Sequence, residues 1–179
     1  FGLYTFALNY HFNQLNPFGY HVVNLLIHLL TGVFVWKLLA ALCQSPRLRG
    51  SVLEDRSFCV AYFGALLFLM HPLQTQAVSY ITQRLASLAT LFYVGAVYFY
   101  IKARFLENES SRVKNVTLAM LLAIAGVFTK EIVFTLPIVL ILVEVFYNPT
   151  LKNAFVRKEG RGNVVFFAFL CIGLIVPIF

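Results

Sequence analysis

A long apolar stretch near the start of the chain is the feature that most limits its fold. From Tyr20 to Cys43 the sequence YHVVNLLIHLLTGVFVWKLLAALC contains one charged residue, Lys37. A helix needs roughly 20 apolar residues to cross a hydrocarbon core of about 30 Å, so this stretch predicts a membrane-spanning helix. The composition extends the argument, since 60% of the 179 residues are hydrophobic and 12% are charged, whereas soluble domains carry roughly 25% charged residues. We therefore expect an integral membrane protein.

Six candidate helices follow from the hydropathy and from the polar breakers between apolar stretches. They are placed at residues 20–43, 57–70, 76–101, 115–129, 132–147 and 164–179. The apolar stretches are continuous and do not alternate with polar residues, which argues against a β-barrel. The sequence predicts an all-α polytopic membrane protein, with about six transmembrane helices in one domain over residues 1–179.

Charged connectors between the helices predict how the chain is oriented. Three connectors fall on one side of the bundle, and together with Lys37 they carry 12 of the 14 lysines and arginines. They are QSPRLRGSVLEDR, KARFLENESSRVK and NPTLKNAFVRKEGRGN. The positive-inside rule places them in the cytoplasm and places the turns HPLQTQ and TKE outside. The net charge of +7 then reflects topology and not nucleic-acid binding, because the basic residues flank helices.

The cysteines and the glycosylation sequons are given no functional role. Cys43, Cys59 and Cys171 lie in or beside apolar stretches without the spacing of a metal site, so we expect them to be packing residues. No metal ligands are predicted, and a role for a divalent metal is left open. The sequons at Asn108 and Asn115 fall on the cytoplasmic side and are expected to be unmodified.

Two of the predicted helices are too short to cross a bilayer. Residues 57–70 reach only about 21 Å at a rise of 1.5 Å per residue, and residues 115–129 are similar. Each ends at a polar cluster on the outer side. Polar, non-helical backbone at membrane depth is tolerated only inside protein or along a water-filled cavity. The sequence therefore predicts a cavity that opens outward.

The first polar group that is expected to line this cavity lies on the opening helix. His21, Asn24, His28 and Thr31 follow a spacing of three and four residues, which places them on one helix face. They either contact a ligand or form hydrogen bonds between helices.

The second polar group runs from His71 to Arg84. Gln76, Tyr80, Gln83 and Ser87 recur with a spacing of four, three and four residues along the start of the helix that is predicted to begin at residue 76. Arg84 is expected about eight residues into that helix, where a charge costs a few kcal/mol unless a partner compensates it. This position favours an anion-binding role, and a structural ion pair or a snorkelling anchor is the alternative.

The third polar group is Thr129, Lys130 and Glu131, at the hinge between two helices. The side chains of Lys130 and Glu131 point in different directions, so Glu131 can pair with Arg84 while Lys130 faces an anionic ligand. A purely structural pair is the alternative. Cations on the outer side with few acids nearby predict a site for a lipid-linked phosphate. Glu144 is assigned no role.

The second and third polar groups belong to two motifs, HPLQTQAVSYITQRLASLATLFY and TKEIVFTLPIVLILVEVF. These motifs resemble the multi-spanning region of the TMTC-type transmembrane O-mannosyltransferases. The region is also similar to bacterial membrane proteins that join it to tetratricopeptide repeats. The opening NPFGYHVVNLLIHLL is similar to the helix that follows the first outer loop in this family. The resemblance covers nearly the whole chain.

The resemblance implies a GT-C glycosyltransferase fold, with transfer of a sugar from a polyprenyl-phosphate donor to Ser or Thr of an exported protein. The residues that match the family pattern are His21, Asn24, His28, His71, Pro72, Arg84, Lys130 and Glu131. Arg84 and Lys130 would bind the donor phosphate. His71 and Gln76 would shape the donor cavity, with Glu131 and the opening-helix residues in support.

The resemblance also implies that the chain is a fragment. Enzymes of this type carry a catalytic Asp or Asp pair on the first outer loop, which would precede Phe1, and repeats are expected after the membrane region. Glu131 is then expected to orient Arg84 or Lys130. Animal members have an acid where this chain has Gln76, so the bacterial inner membrane is the expected location. The alternative is a non-catalytic membrane subunit that binds lipid or scaffolds a larger complex, while a transporter is disfavoured because no inverted repeat is evident.

Overall fold

The computed structural model describes residues 2–105 and 109–147. Within these ranges the chain forms eight α-helices and no strand, as the all-α prediction requires. The helices are α1 (Gly2–Asn13), α2 (Pro17–Cys43), α3 (Val52–Asp55), α4 (Ser57–Met70), α5 (Thr75–Ser79), α6 (Arg84–Phe105), α7 (Glu109–Val127) and α8 (Leu136–Tyr147). Short 3-10 helices occupy Pro72–Gln74, Ile81–Gln83 and Glu131–Thr135. The predicted helix at 164–179, the third charged connector, Cys171 and Asn108 lie outside the described residues.

Two stretches are long and apolar enough to cross a membrane. They are Pro17–Cys43, with 27 residues, and Ile81–Arg104, with 24 residues. A third crossing forms if Ser57–Met70 and Pro72–Ser79, which meet at an angle of 54°, are counted as one bent span. The described chain therefore offers two or three candidate spans, and a bundle of six stays a prediction.

The longest helix, α2, begins where the sequence supplies an N-terminal cap. The Oδ1 atom of Asn16 accepts a hydrogen bond from the backbone N–H of Phe18 at 3.0 Å. Pro17 occupies the first turn, where its missing N–H leaves no helical hydrogen bond unmade. This start lies three residues before the predicted one.

The bundle is organised around α6. Helix α7 packs along one side of α6 and α2 along another, while α4 packs on α2. Small side chains at the contact between α6 and α7 let the two backbones approach closely. They are Ala89, Ala96, Ala119 and Ala123, all of which are buried. Val133, Leu136 and Leu140 close this core from the segment that enters α8.

An ion pair joins α6 to α8 at one end of the bundle. The Nε and Nη2 atoms of Arg104 donate to the two carboxylate oxygens of Glu144 at 2.5 and 3.0 Å, and the Tyr100 hydroxyl donates to the same carboxylate at 2.7 Å. The Nη1 atom of Arg47 donates to the carbonyl of Phe146 at 2.6 Å. The first charged connector therefore lies at the end where α6 and α8 finish. We call this end the basic end, and we call the opposite end, with residues 71–83 and 128–135, the broken end.

Two helix predictions are wrong, and one helix was missed. The predicted helix at 76–101 is interrupted at Tyr80, which is extended, so Arg84 is the first residue of α6 and does not lie eight residues into a helix. The predicted helix at 115–129 begins at Glu109 and has 19 residues, about 28 Å, so it is not short. Helix α1 was not predicted. Each error arises because hydropathy measures the apolar character of a segment and not its backbone conformation.

Candidate functional site

The helical conformation is interrupted between α4 and α6 for a local reason, and we call this interruption the break. Pro72 disfavours a helical conformation at His71, which is extended with ψ of 129° and ends α4. The Nδ1 atom of the exposed His71 accepts a hydrogen bond from the N–H of Leu73 at 3.3 Å and caps the 3-10 turn Pro72–Gln74. A second interruption at Tyr80 separates α5 from the next turn. His71 therefore acts in the break itself, as a cap.

Polar side chains of α2 bind carbonyls that the break leaves without helical partners. The Nε2 atom of His28 lies 3.2 Å from the Leu69 carbonyl, and the Nδ1 atom of His21 lies 3.2 Å from the Val78 carbonyl. Because a carbonyl oxygen only accepts, the Nε2 atom of His28 and the Nδ1 atom of His21 each carry the proton of the hydrogen bond. These contacts correspond to hydrogen bonding between helices, which was one of the two interpretations of the first polar group.

Asn24 connects the break to Arg84. Its Nδ2 atom donates to the Tyr80 carbonyl at 3.3 Å, and its Oδ1 atom accepts from the Nε atom of Arg84 at 2.8 Å. Asn24 and Arg84 are both 0% exposed. One buried amide thus holds the second interruption and the first residue of α6 on the same side of α2.

Four neutral oxygens surround the guanidinium of Arg84. Besides Asn24, it donates to the Asn9 side chain at 2.8 Å, to the Tyr20 carbonyl at 3.0 Å and to the Thr5 carbonyl at 3.3 Å. None of these acceptors is a carboxylate, so the suggested pair with Glu131 is absent from the contacts of Arg84. The predicted compensation of a buried charge is therefore met by amide and carbonyl dipoles.

Two of the four acceptors lie on α1, the helix that was not predicted. The guanidinium carbon of Arg84 also lies 4.5 Å from the centre of the Phe6 ring and 5.3 Å from that of Tyr20. On α1 the spacing of Gly2, Thr5 and Asn9 is three and four residues, which marks one helix face. That spacing was the available signal for α1.

A polar cleft lies between α2, α5 and α6 at the broken end. Its volume is about 210 Å³. The lining combines amides, hydroxyls and one imidazole with four apolar side chains, and contains no Asp, Glu, Lys or Arg. The lining residues are His28, Thr31, Phe68, Leu73, Gln74, Gln76, Ala77, Gln83, Ala86, Ser87 and Thr90.

The hinge that carries Lys130, between α7 and α8, lies against a different face of α6 from the cleft. Thr129 and Leu85 both lie against Gly2, and Gly126 packs against Phe92. At about 100° per residue, Leu85 and Phe92 lie on the face of α6 opposite to Ser87 and Thr90, which line the cleft. The structure thus separates Lys130 from the cleft by the width of α6.

Lys130 and Glu131 differ in their surroundings. Lys130 is half-buried in extended backbone, and Glu131 is exposed. Within residues 2–105 and 109–147, neither side chain forms an ion pair or a hydrogen bond. Lys130 is therefore a cation at the broken end that forms no ion pair in the described chain.

The predicted site residues thus fall into three places. His28 and Gln76 line the cleft, Asn24 and Arg84 form one buried network, and Lys130 with Glu131 lies across α6. The described ranges contain no cluster of three His, Cys, Asp or Glu side chains that could hold a metal ion. Sequence analysis missed the acceptors on α1 and the pairing of Glu144.

Comparison with known proteins gives relatives over most of the chain. It is 30% identical over 157 residues to the Caenorhabditis elegans protein O-mannosyl-transferase F38B6.6, covering 86% of this chain and 20% of that protein. It is 30% identical over 168 residues to Mus musculus protein O-mannosyl-transferase TMTC3, covering 89% and 16%. Drosophila melanogaster Tmtc3 is 33% identical over 108 residues, which cover 55% of this chain and 12% of the relative.

The chain spans a fifth or less of the length of these three relatives. No family model and no solved structure matches it. The curated relatives carry the name that the HPLQTQ and TKE motifs predicted. The chain is therefore TMTC-like and is related to these protein O-mannosyl-transferases over most of its own length.

Proposed function

We propose that this chain is part of the membrane domain of a GT-C glycosyltransferase. In this proposal the broken end binds a polyprenyl-phosphate sugar, and the sugar is transferred to a Ser or Thr hydroxyl of an exported protein. The names of the relatives support glycosyl transfer. The candidate spans support action on a donor that is anchored in the membrane.

The observation that carries the proposal is the position of Lys130. A half-buried lysine that forms no ion pair in the described chain favours an anion as its partner. At the broken end a phosphate carried on a membrane lipid is such an anion. We therefore assign the first contact with the donor phosphate to Lys130.

Arg84 has a different part in this proposal. Its guanidinium already donates to four protein oxygens and is fully buried. We propose that Arg84 positions α1 against α2 and α6, so that the broken end keeps its shape. Direct contact of Arg84 with the phosphate stays a prediction.

The proposed reaction is a substitution at the anomeric carbon of the donor sugar. The acceptor hydroxyl oxygen forms a bond to that carbon, and the bond from that carbon to the phosphate oxygen breaks. Polyprenyl phosphate leaves with the electron pair, and the hydroxyl proton passes to a carboxylate base, which we expect upstream of Phe1. Lys130 would stabilise the negative charge that develops on the leaving phosphate.

The orientation belongs to the same proposal. Basic residues collect at the basic end, which favours the cytoplasmic side for that end and the outer side for the broken end. The outer side is where an exported protein would meet the donor. Location in a bacterial inner membrane stays a prediction.

A transfer assay with the full-length protein in liposomes tests the proposal. We expect mannose to pass from polyprenyl-phosphate mannose to a Ser/Thr peptide, and not from GDP-mannose. Free polyprenyl phosphate should inhibit competitively, while polyprenol, which lacks the phosphate, should not. Protein-free liposomes serve as the control.

Two outcomes would contradict the proposal. Transfer from GDP-mannose alone would exclude a lipid-linked donor. An absence of any transfer, with the protein folded and bound to the lipid phosphate, would favour the non-catalytic membrane subunit.

A further inference from the structure

The cleft between α2, α5 and α6 contains amide side chains with unused hydrogen-bonding capacity. Gln74 and Gln83 are half-buried in its wall, and Gln76 is exposed at it. Among the described residues, none of these three amides forms a side-chain hydrogen bond. Each amide has an N–H donor group and an acceptor oxygen. The cleft therefore presents both donors and acceptors to whatever enters it.

Amide side chains of this protein already bind main-chain groups in both directions at other positions. The Nδ2 atom of Asn24 donates to the Tyr80 carbonyl at 3.3 Å. The Oδ1 atom of Asn16 accepts from the N–H of Phe18 at 3.0 Å. A polypeptide backbone offers one donor and one acceptor at each residue other than proline. A segment of main chain would therefore complement the glutamine amides of the cleft.

The lining of the cleft decides which ligands do not fit. It contains no Asp, Glu, Lys or Arg, so a phosphate or a charged side chain would be desolvated there without a counter-charge. An acyl chain would cover amides that have no other partner, which is also unfavourable. Main chain with small or apolar side chains avoids both costs, because Phe68 and Leu73 add apolar surface to the same wall.

The cleft lies at a distance from the proposed donor phosphate. Lys130 lies across the width of α6, so neither the donor nor the reacting atoms occupy the cleft. Helix α6 begins at Arg84, at the broken end, and an extended chain that crosses over this end reaches both faces of the helix. A helix with its side chains is about 10–12 Å wide, and an extended chain advances about 3.3 Å per residue. About three or four residues of such a chain therefore separate the two places.

We propose that this cleft binds main chain of the acceptor protein, about three or four residues away from the Ser or Thr that receives the sugar. The inference rests on the proposed function and names the part of the acceptor that is held. Gln76 and Gln83 are the binding residues, because their amides line the cleft from two different segments. Charged side chains at the held positions of the acceptor are disfavoured, since the wall offers them no counter-charge.

A backbone N-methyl scan of the acceptor peptide tests the cleft in the full-length protein. Each peptide contains one Ser and one N-methyl group, which removes a single main-chain donor, and transfer from polyprenyl-phosphate mannose is measured in liposomes. We expect the peptide KM to rise about fivefold when the methyl group lies three or four residues from the Ser on one side, with kcat unchanged. Glu or Lys at the same positions should raise KM at least as much.

Cleft variants link this effect to the glutamines. Gln83→Leu and Gln76→Leu should each raise KM for the unmodified peptide about fivefold and abolish the difference between methylated and unmodified peptides. The KM for the donor should stay unchanged, because the donor does not enter the cleft. Gln44→Leu, at the exposed C-terminal cap of α2, is the matched control and should behave like the wild type.

A peptide with Ala in place of Ser separates this inference from the proposed function, because its binding in nanodiscs is measured by fluorescence anisotropy without transfer. If the wild-type protein transfers mannose but the methyl scan shows no sensitive position, or both cleft variants behave as the control does, the cleft assignment is wrong and the transferase stands. Binding of the Ala peptide that depends on Gln76 and Gln83, without any transfer by the wild-type protein, would support the cleft and overturn the transferase. Thermal unfolding of each variant identifies a loss of binding that comes from misfolding, and the exposed Gln76 provides the variant that is least expected to misfold.

Discussion

Replacing Arg84 with methionine is expected to release α1 from the bundle. The substitution removes the donor that Asn24 and Asn9 share, and leaves two buried side-chain oxygens without a partner. An unsatisfied buried acceptor costs roughly 1–3 kcal/mol, so we expect α1 to open more easily by about 3 kcal/mol. Amide hydrogen exchange over residues 2–13 should then be about a hundredfold faster.

A positive charge alone at position 84 is not expected to keep α1 packed in the bundle. In Arg84→Lys the ammonium is a compact donor on a flexible stem and does not reproduce the planar fork that contacts α1 and α2 together. Fast exchange should therefore persist in this variant. Arg49→Met, at an exposed position of the first charged connector, is the matched control and should exchange like the wild type. Unchanged protection of residues 2–13 in Arg84→Met would show that Arg84 does not hold α1.

Replacing Lys130 with alanine is expected to remove most of the transfer activity. The ammonium forms no ion pair in the described chain, so its removal takes away the proposed contact with the leaving phosphate and disrupts no ion pair that the structure shows. Loss of one such electrostatic contact lowers kcat by about a hundredfold or more. Initial rates with polyprenyl-phosphate mannose over a range of donor concentrations measure this effect.

Matched lysine variants separate the charge at the hinge from charge elsewhere. Lys130→Arg keeps the cation and should retain activity within about tenfold of the wild type. Lys102→Ala removes an exposed lysine near the basic end of α6, where its ammonium lies 5.9 Å from the centre of the Tyr98 ring. This control should stay within about twofold. If Lys130→Ala were as active as Lys102→Ala, Lys130 would have no part in phosphate binding.

Helix boundaries were predictable where the chain changes character abruptly. Helix α4 occupies residues 57–70 as predicted, because a charged connector precedes it and His71 with Pro72 stops it. The interruption at Tyr80 was not predictable from the same signals. It is stabilised by Asn24 of α2, which is distant in sequence. Local hydropathy contains no information on such a partner.

The candidate site shows the same division. The spacing of the polar residues on α2 placed them on one face, and His21, Asn24 and His28 do bind the broken segment from that face. The partners of Arg84 were not predictable, because carbonyl oxygens carry no residue-specific signal and α1 was not recognised as a helix. Sequence analysis placed Lys130 and Gln76 around one cavity, whereas in the structure they lie on opposite sides of α6.

Mapping where the donor lies on the full-length protein is the most direct test of the proposed donor site. A polyprenyl-phosphate mannose with a photoreactive group on the first isoprene unit would be crosslinked in liposomes, and the adducts located by peptide mass spectrometry. We expect adducts at the broken end, within residues 71–83 and 128–135, that are lost on competition with free polyprenyl phosphate. Competable adducts confined to the connector at residues 44–56 would place the donor at the basic end and contradict the proposed donor site.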